Sequence, residues 1–127
     1  MKKRIFLVDD ERDFCFFLTK NLEARGDFQV EAFTDARGIL DRINASVPDL
    51  VVLDVMMPGM DGGDIASRLN QDARTKDIPV IFLTSIVKEE EASQSKGLIG
   101  GWRYVSKPVK IEALLALIDR MILLKGT

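Results

Sequence analysis

The sequence IFLVDDE at residues 5–11 ends a short apolar run with three acidic residues. The same arrangement recurs along the chain, since LVVLD at 50–54 ends in an aspartate, PVIFLT at 79–84 ends in a threonine, and YVSKP at 104–108 brings a lysine after a short apolar run. Continuous apolar runs of this kind are typical of buried strands in a parallel sheet. Open α/β sheets bind ligands outside the carboxyl ends of their strands, so we expect these polar groups to meet at one site.

The segments between these runs have helical periodicity. On the first predicted helix, Phe14, Phe17, Leu18 and Leu22 are expected on one face, and Thr34 or Asp35 is expected to cap the second. Strands are predicted at 3–8, 28–33, 49–55, 79–84 and 102–105, and helices at 13–25, before Pro48, at 64–73, 89–96 and 110–124. This alternation predicts one α/β domain of five strand–helix units with right-handed crossovers.

Composition narrows the possible chemistry. The 127 residues carry a net charge of −2 and contain one cysteine and no histidine. The absence of histidine excludes Ser-His-Asp catalysis, Cys-His catalysis and histidine-ligated zinc. The single thiol, Cys15, lies among phenylalanines and is expected to be buried and inert. The apolar run after the basic N-terminus is too short for a secretory signal, and no run approaches the roughly 20 residues of a membrane span, so we expect a cytoplasmic protein.

Acids at the ends of the first and third predicted strands suggest a divalent cation. One acidic pair after a strand often only caps the next helix, but Asp54 puts a third carboxylate at the end of a central strand. If the first and third strands are neighbours, this carboxylate converges with Asp9 and Asp10. Mg²⁺ prefers hard oxygen ligands and needs only one or two carboxylates. Lys107 adds a point charge suited to phosphate and Thr84 a hydroxyl donor, a combination that favours phosphoryl chemistry on a carboxylate.

At these residues the chain resembles the receiver domain of two-component response regulators. The matching segments are VDDE at 8–11, LDVMMPGMDG at 53–62, LTS at 83–85 and YVSKP at 104–108. The resemblance extends over essentially the whole chain, from Lys2 to about Leu124. It implies a flavodoxin-like (βα)5 fold, a doubly wound parallel five-stranded sheet with strand order 2-1-3-4-5.

The resemblance also implies roles for individual residues. Asp54 would be the phosphoacceptor. The ligands of Mg²⁺ would be Asp10, Asp54 and the backbone carbonyl of Met56, with Asp9 acting through water. Lys107 and Thr84 would contact the phosphoryl group as catalytic residues.

A conformational switch is implied as well. Thr84 would move toward the phosphoryl group and Tyr104 would fill the space it leaves, remodelling the face made by the fourth helix, fifth strand and fifth helix. The Lys107–Pro108 peptide bond would be cis. The apolar excess of the last helix favours a homodimer or a partner contact, and a homodimer would form through this face.

We therefore expect residues 1–127 to form a single receiver domain with no output domain in these residues. It would accept a phosphoryl group from a histidine kinase or histidine phosphotransfer protein, catalysing only its own phosphorylation and dephosphorylation. It would signal to a downstream protein without binding nucleic acid or membrane. Whether it acts alone or as the first part of a DNA-binding regulator stays open.

Other classes fit the sequence less well. The alternative is a pseudo-receiver, an unphosphorylated protein-binding module, although clustered buried acids would give such a module no advantage. An aspartyl phosphatase would need a second acid at the position of Met56. A nucleotide-binding domain would need a G-x-G-x-x-G pattern, which residues 59–63 lack.

Overall fold

The computed structural model describes residues 2–35, 37–57, 60–84, 98–99 and 102–125. The strands are β1 (Lys3–Val8), β2 (Phe28–Phe33), β3 (Leu50–Asp54), β4 (Met56–Met57), β5 (Met60–Asp61), β6 (Val80–Thr84), β7 (Leu98–Ile99) and β8 (Trp102–Ser106). The helices are α1 (Arg12–Arg25), α2 (Ile39–Ser46), α3 (Gly62–Gln71) and α4 (Ile111–Lys125). The predicted helix at 89–96 lies outside the described residues.

The main sheet has the order β2-β1-β3-β6-β8-β7. The first five strands in this order are parallel. They correspond, in the same order, to the second, first, third, fourth and fifth strands predicted from the sequence, which confirms the predicted strand order. The sixth, β7, pairs antiparallel with β8 and was not predicted, since two residues show no periodicity. The short strands β4 and β5 form a separate antiparallel pair directly after β3.

Alternate residues of the central strands belong to two hydrophobic clusters, one on each face of the sheet. On one face Ile5 and Leu7 pack with α1 and α4, and on the other Phe6 and Val8 pack with α2 and α3. This alternation follows from the two-residue period of a strand. Both faces of β3 are fully buried, as its continuous apolar sequence predicts.

Two predictions about the helices were wrong. On α1 the buried residues are Cys15, Leu18 and Leu22, whereas Phe17 is 44% exposed. Phe17 is one residue from Leu18, about 100° around the helix, which turns it away from the sheet.

The second error concerns the start of α2. Neither Thr34 nor Asp35 caps this helix. It begins at Ile39 after Gly38, whose φ of 73° lies in the left-handed region that glycine adopts without strain. The Asp35 carboxylate instead accepts the backbone N–H of Arg37 at 2.8 Å and pairs with its guanidinium. In the described parts of the chain, no helix combines the length and apolar character needed to cross a membrane.

Candidate functional site

The parallel sheet brings the predicted site residues to one edge. Asp9 follows β1, Asp54 ends β3, Thr84 ends β6 and Lys107 follows β8. Neighbouring strands are held in register there, since the N–H of Val55 donates to Leu83 and the N–H of Lys107 donates to Thr84, at 3.0 and 2.9 Å. The structure therefore gathers the residues that the sequence placed at four separate strand ends.

Three carboxylates form the acidic part of the site. One oxygen from each of Asp9, Asp10 and Asp54 lies within 4.8 Å of the others. Asp9 is fully buried and Asp54 is 4% exposed, whereas Asp10 is exposed. The Asp9 carboxylate accepts the backbone N–H of Glu11 at 2.9 Å, which fixes its orientation at the start of α1.

The Lys107 ammonium lies among these acids. Its Nζ is 2.8 Å from the Asp9 carboxylate, 2.9 Å from that of Glu11 and 3.5 Å from that of Asp54. Lys107 therefore contacts Asp54, but Asp9 and Glu11 are its nearer partners.

The charges in the site perturb one another. Burial raises the pKa of the Asp9 carboxyl, and the Asp54 charge adds to this, although the contacts with Lys107 and the Glu11 N–H act in the opposite direction. Burial alone would lower the pKa of the Lys107 ammonium. Its contacts with Asp9 and Glu11, with the Asp54 charge, outweigh burial and raise that pKa above its ordinary value. Lys107 therefore stays charged at all physiological pH values.

Two residues at the site were not recognised from the sequence. Glu11, as described above, pairs with the ammonium from 96 positions away in the chain. The ring of Phe14 lies with its centroid 4.5 Å from the Lys107 Nζ. Phe14 also packs against the cluster formed by α1 and α4. Sequence periodicity placed Phe14 on the core face and gave no signal of a contact with a lysine from another strand.

The proposed switch residues lie on neighbouring strands. Thr84 is 2% exposed, and Tyr104 is half-buried against the cluster on the α2 and α3 face. Tyr104 is in register with Phe82, and the two rings stack at 5.1 Å between centroids. The Lys107–Pro108 peptide bond is cis, as the resemblance implies.

The donor set of the acidic cluster fits a hard divalent cation. All three side chains supply carboxylate oxygens, which Mg²⁺ prefers. The second buried oxygen of Asp9, Oδ2, lies 2.8 Å from the Lys107 ammonium. Met56 begins β4 two residues after Asp54, so its backbone lies next to the cluster in the chain. These residues could therefore hold Mg²⁺.

Comparison with known proteins gives a consistent result. The family model described as "Response regulator receiver domain" matches residues 5–119. The phosphate regulon transcriptional regulatory protein PhoB of Rhizobium meliloti is 35% identical over 123 residues, covering 96% of this chain and 53% of that protein. Protein PilH of Pseudomonas aeruginosa is 35% identical over 120 residues, covering 94% of this chain and 97% of that protein.

Solved structures agree with the fold. Chemotaxis protein CheY4 of Vibrio cholerae is 25% identical, with a TM-score of 0.78 over 95% of this chain and 99% of that one. The chain spans about half the length of PhoB and of several other regulators that it matches.

Proposed function

Because this chain belongs to the response regulator receiver domain family, we propose that it is a phosphorylation-controlled switch in a two-component or phosphorelay system. One observation carries the proposal. The Asp54 carboxylate, nearly buried at the end of a central strand, faces two further acids on one side and a lysine ammonium 3.5 Å away. A group that accepts a phosphoryl transfer needs this pairing of a nucleophilic carboxylate with nearby cationic stabilisation.

The transfer is an in-line displacement at phosphorus. An oxygen of Asp54 attacks the phosphorus of a phosphohistidine, the new P–O bond forms, and the P–N bond breaks. The leaving imidazole keeps the electron pair of that bond and takes up a proton. These 127 residues contain no histidine, so the phosphohistidine lies outside them, on a histidine kinase or a histidine phosphotransfer protein.

The acidic residues would bind the metal ion that offsets the negative charge of the phosphoryl group. Asp10, Asp54 and the Met56 carbonyl would bind Mg²⁺, with Asp9 acting through water, and the ion would supply charge stabilisation for the transferring phosphoryl oxygens. Lys107 adds a second positive charge that shifts from Asp9 and Glu11 toward the phosphoryl group. Thr84 donates its hydroxyl to a phosphoryl oxygen.

Signalling follows from the same contacts. When Thr84 turns toward the phosphoryl group, the half-buried Tyr104 ring moves inward and the surface around β8 and α4 changes. We infer that a downstream protein, or a second copy of this chain, reads this surface. The domain acts in the cytoplasm, on no substrate other than its own aspartate, and without contacting nucleic acid or membrane itself.

The test is intact-protein mass spectrometry after incubation with acetyl phosphate and Mg²⁺, beside the variant Asp54→Ala. We expect a gain of one phosphoryl group that requires Mg²⁺ and is absent in the variant. A gain that persists in Asp54→Ala would place the acceptor elsewhere. No gain under any donor or metal condition would reject the switch and favour an unphosphorylated protein-binding module on the same fold.

A further inference from the structure

We propose that Phe14 is a positioning residue for phosphorylation, because its ring holds the Lys107 ammonium beside Asp54 through a cation–π contact. The inference rests on the proposed function and adds to it a residue of α1 that is not among the metal-binding and phosphoryl-binding residues named above. It starts from one distance, the 4.5 Å between the Lys107 Nζ and the centroid of the Phe14 ring. A cation within about 6 Å of an aromatic centroid is attracted by the ring quadrupole.

The surroundings strengthen this contact. The Lys107 side chain is only 16% exposed, so water screens the ammonium weakly. The Phe14 ring is fixed by packing against the hydrophobic cluster that α1 shares with α4. A partly desolvated cation above an anchored ring is the arrangement in which cation–π attraction is largest.

Lysine needs such a constraint at this site. Its four-carbon stem is flexible, and its compact charge can be satisfied equally by several carboxylates. Lys107 lies between 2.8 and 3.5 Å from three of them, and the nearest to solvent, Glu11, has a side chain that is 64% exposed. The carboxylates alone would therefore allow the ammonium to follow Glu11 outward, away from Asp54.

The ring differs from the acids in being unchanged by the reaction. Binding of Mg²⁺ would occupy carboxylate oxygens, and phosphorylation would convert the Asp54 carboxylate into an acyl phosphate. Both events alter the partners that hold Lys107 at rest. Neither event changes the Phe14 ring or the Glu11 carboxylate. Of these two neighbours Glu11 is largely exposed, whereas the ring is anchored in the hydrophobic cluster and keeps the ammonium within reach of the phosphoryl group.

A spectroscopic experiment tests the contact in the unphosphorylated protein. The ring current of Phe14 should shift the ε-methylene protons of Lys107 upfield from their usual position. We expect Phe14→Leu, which keeps an apolar side chain without a ring, to abolish this shift, and Phe14→Tyr to retain it. An unshifted Lys107 signal in the wild-type protein, or a shift unchanged in Phe14→Leu, would overturn the proposed contact.

A kinetic experiment tests the consequence. With phosphoramidate as donor, the rate of Asp54 phosphorylation should fall about three- to ten-fold in Phe14→Leu and stay near the wild-type rate in Phe14→Tyr. The Mg²⁺ concentration giving half the maximal rate should be the same in all three proteins. Equal loss in both variants would show a packing effect, and an unchanged rate in Phe14→Leu would show that the ring has no positioning role; either result overturns the inference.

The two experiments separate failure of the inference from failure of the proposed function. If the wild-type protein takes up no phosphoryl group, the proposed function fails and the positioning role fails with it. A Lys107 signal that still shows the Phe14 ring current would then exclude a displaced lysine as the cause. Normal phosphorylation without the ring-current shift would overturn the inference alone.

Discussion

Replacing Lys107 by methionine would remove the cation from the site while keeping most of the apolar stem. The Asp9 carboxylate, fully buried, would lose the ammonium that lies 2.8 Å away, and Asp54 would lose the same group at 3.5 Å. We expect this variant to be less stable than the wild-type protein at neutral pH in the absence of Mg²⁺. The reason is an uncompensated buried charge rather than a loss of packing.

The size of the effect follows from burial. Removing one partner of a fully buried ion pair costs about 3–5 kcal/mol, whereas an exposed pair is worth about 0–1 kcal/mol. Glu11 is mostly exposed and contributes little, and Lys107 retains 16% exposure. We therefore expect the free energy of unfolding to fall by about 2–3 kcal/mol, below the value for full burial.

The loss of stability in Lys107→Met should increase as the pH rises. Without Lys107 the pKa of Asp9, already raised by burial, rises further above its ordinary value of 3.8. A carboxyl group whose pKa is raised by folding does not destabilise the folded protein at pH values where the group is protonated in both the folded and the unfolded state. Its full destabilising effect on the folded protein appears only above the folded-state pKa. The difference in stability between wild type and Lys107→Met should therefore be smaller at pH 5 than at pH 7.5.

Urea unfolding followed by circular dichroism in EDTA measures this difference, with the slope m as a check on two-state behaviour. The matched control is Asp9→Asn, alone and combined with Lys107→Met. Asparagine removes the buried charge, so the double variant should recover more than half of the loss. A penalty below about 0.5 kcal/mol, or an additive double variant, would refute the assignment of the loss to Asp9.

Two other predictions concern residues close to the core. In Gly26→Ala the new Cβ would lie 2.2 Å from Cε2 of Phe28. Urea unfolding should therefore show that the free energy of unfolding falls by about 1–3 kcal/mol, and this loss should largely disappear in a Phe28→Leu background. Equal losses in both backgrounds would contradict the clash. Burial raises the pKa of the Cys15 thiol from 9.0 to about 11, so iodoacetamide at pH 8 should alkylate the native protein about 100-fold more slowly than the urea-unfolded chain, and equal rates would contradict this.

The residues of the candidate site could be predicted because each ends or follows an apolar strand. The sequence shows a polar residue at the end of each continuous apolar run, and parallel strands bring these residues to the same edge of the sheet. They are Asp9, Asp54, Thr84 and Lys107. The order of the strands was not visible in that pattern and came from the family resemblance. It determines that β1 and β3 are neighbours and that their acids converge.

Contacts between distant segments could not be predicted. Glu11 reads as an ordinary surface acid and Phe14 as a core residue, and only the docking of β8 brings Lys107 to both. The start of α2 was missed for a different reason. Thr34 and Asp35 are good capping residues, but the chain turns at Gly38, and such a turn depends on backbone angles that residue preferences do not specify.

The position of Lys107 late in the chain has a consequence for biosynthesis. Translation delivers Asp9, Asp10 and Asp54 well before the lysine, which follows its partner Glu11 by 96 residues. Amino-terminal segments emerge from the ribosome first, so β1 and β3 can pair before Lys107 has been synthesised. In the described structure Lys107 is the only lysine that contacts these acids, so at that stage they lack their ammonium partner. Mutual repulsion then opposes early closure of this half of the sheet. The last strand therefore delivers the counter-charge at the moment when the nascent chain is long enough to complete its fold.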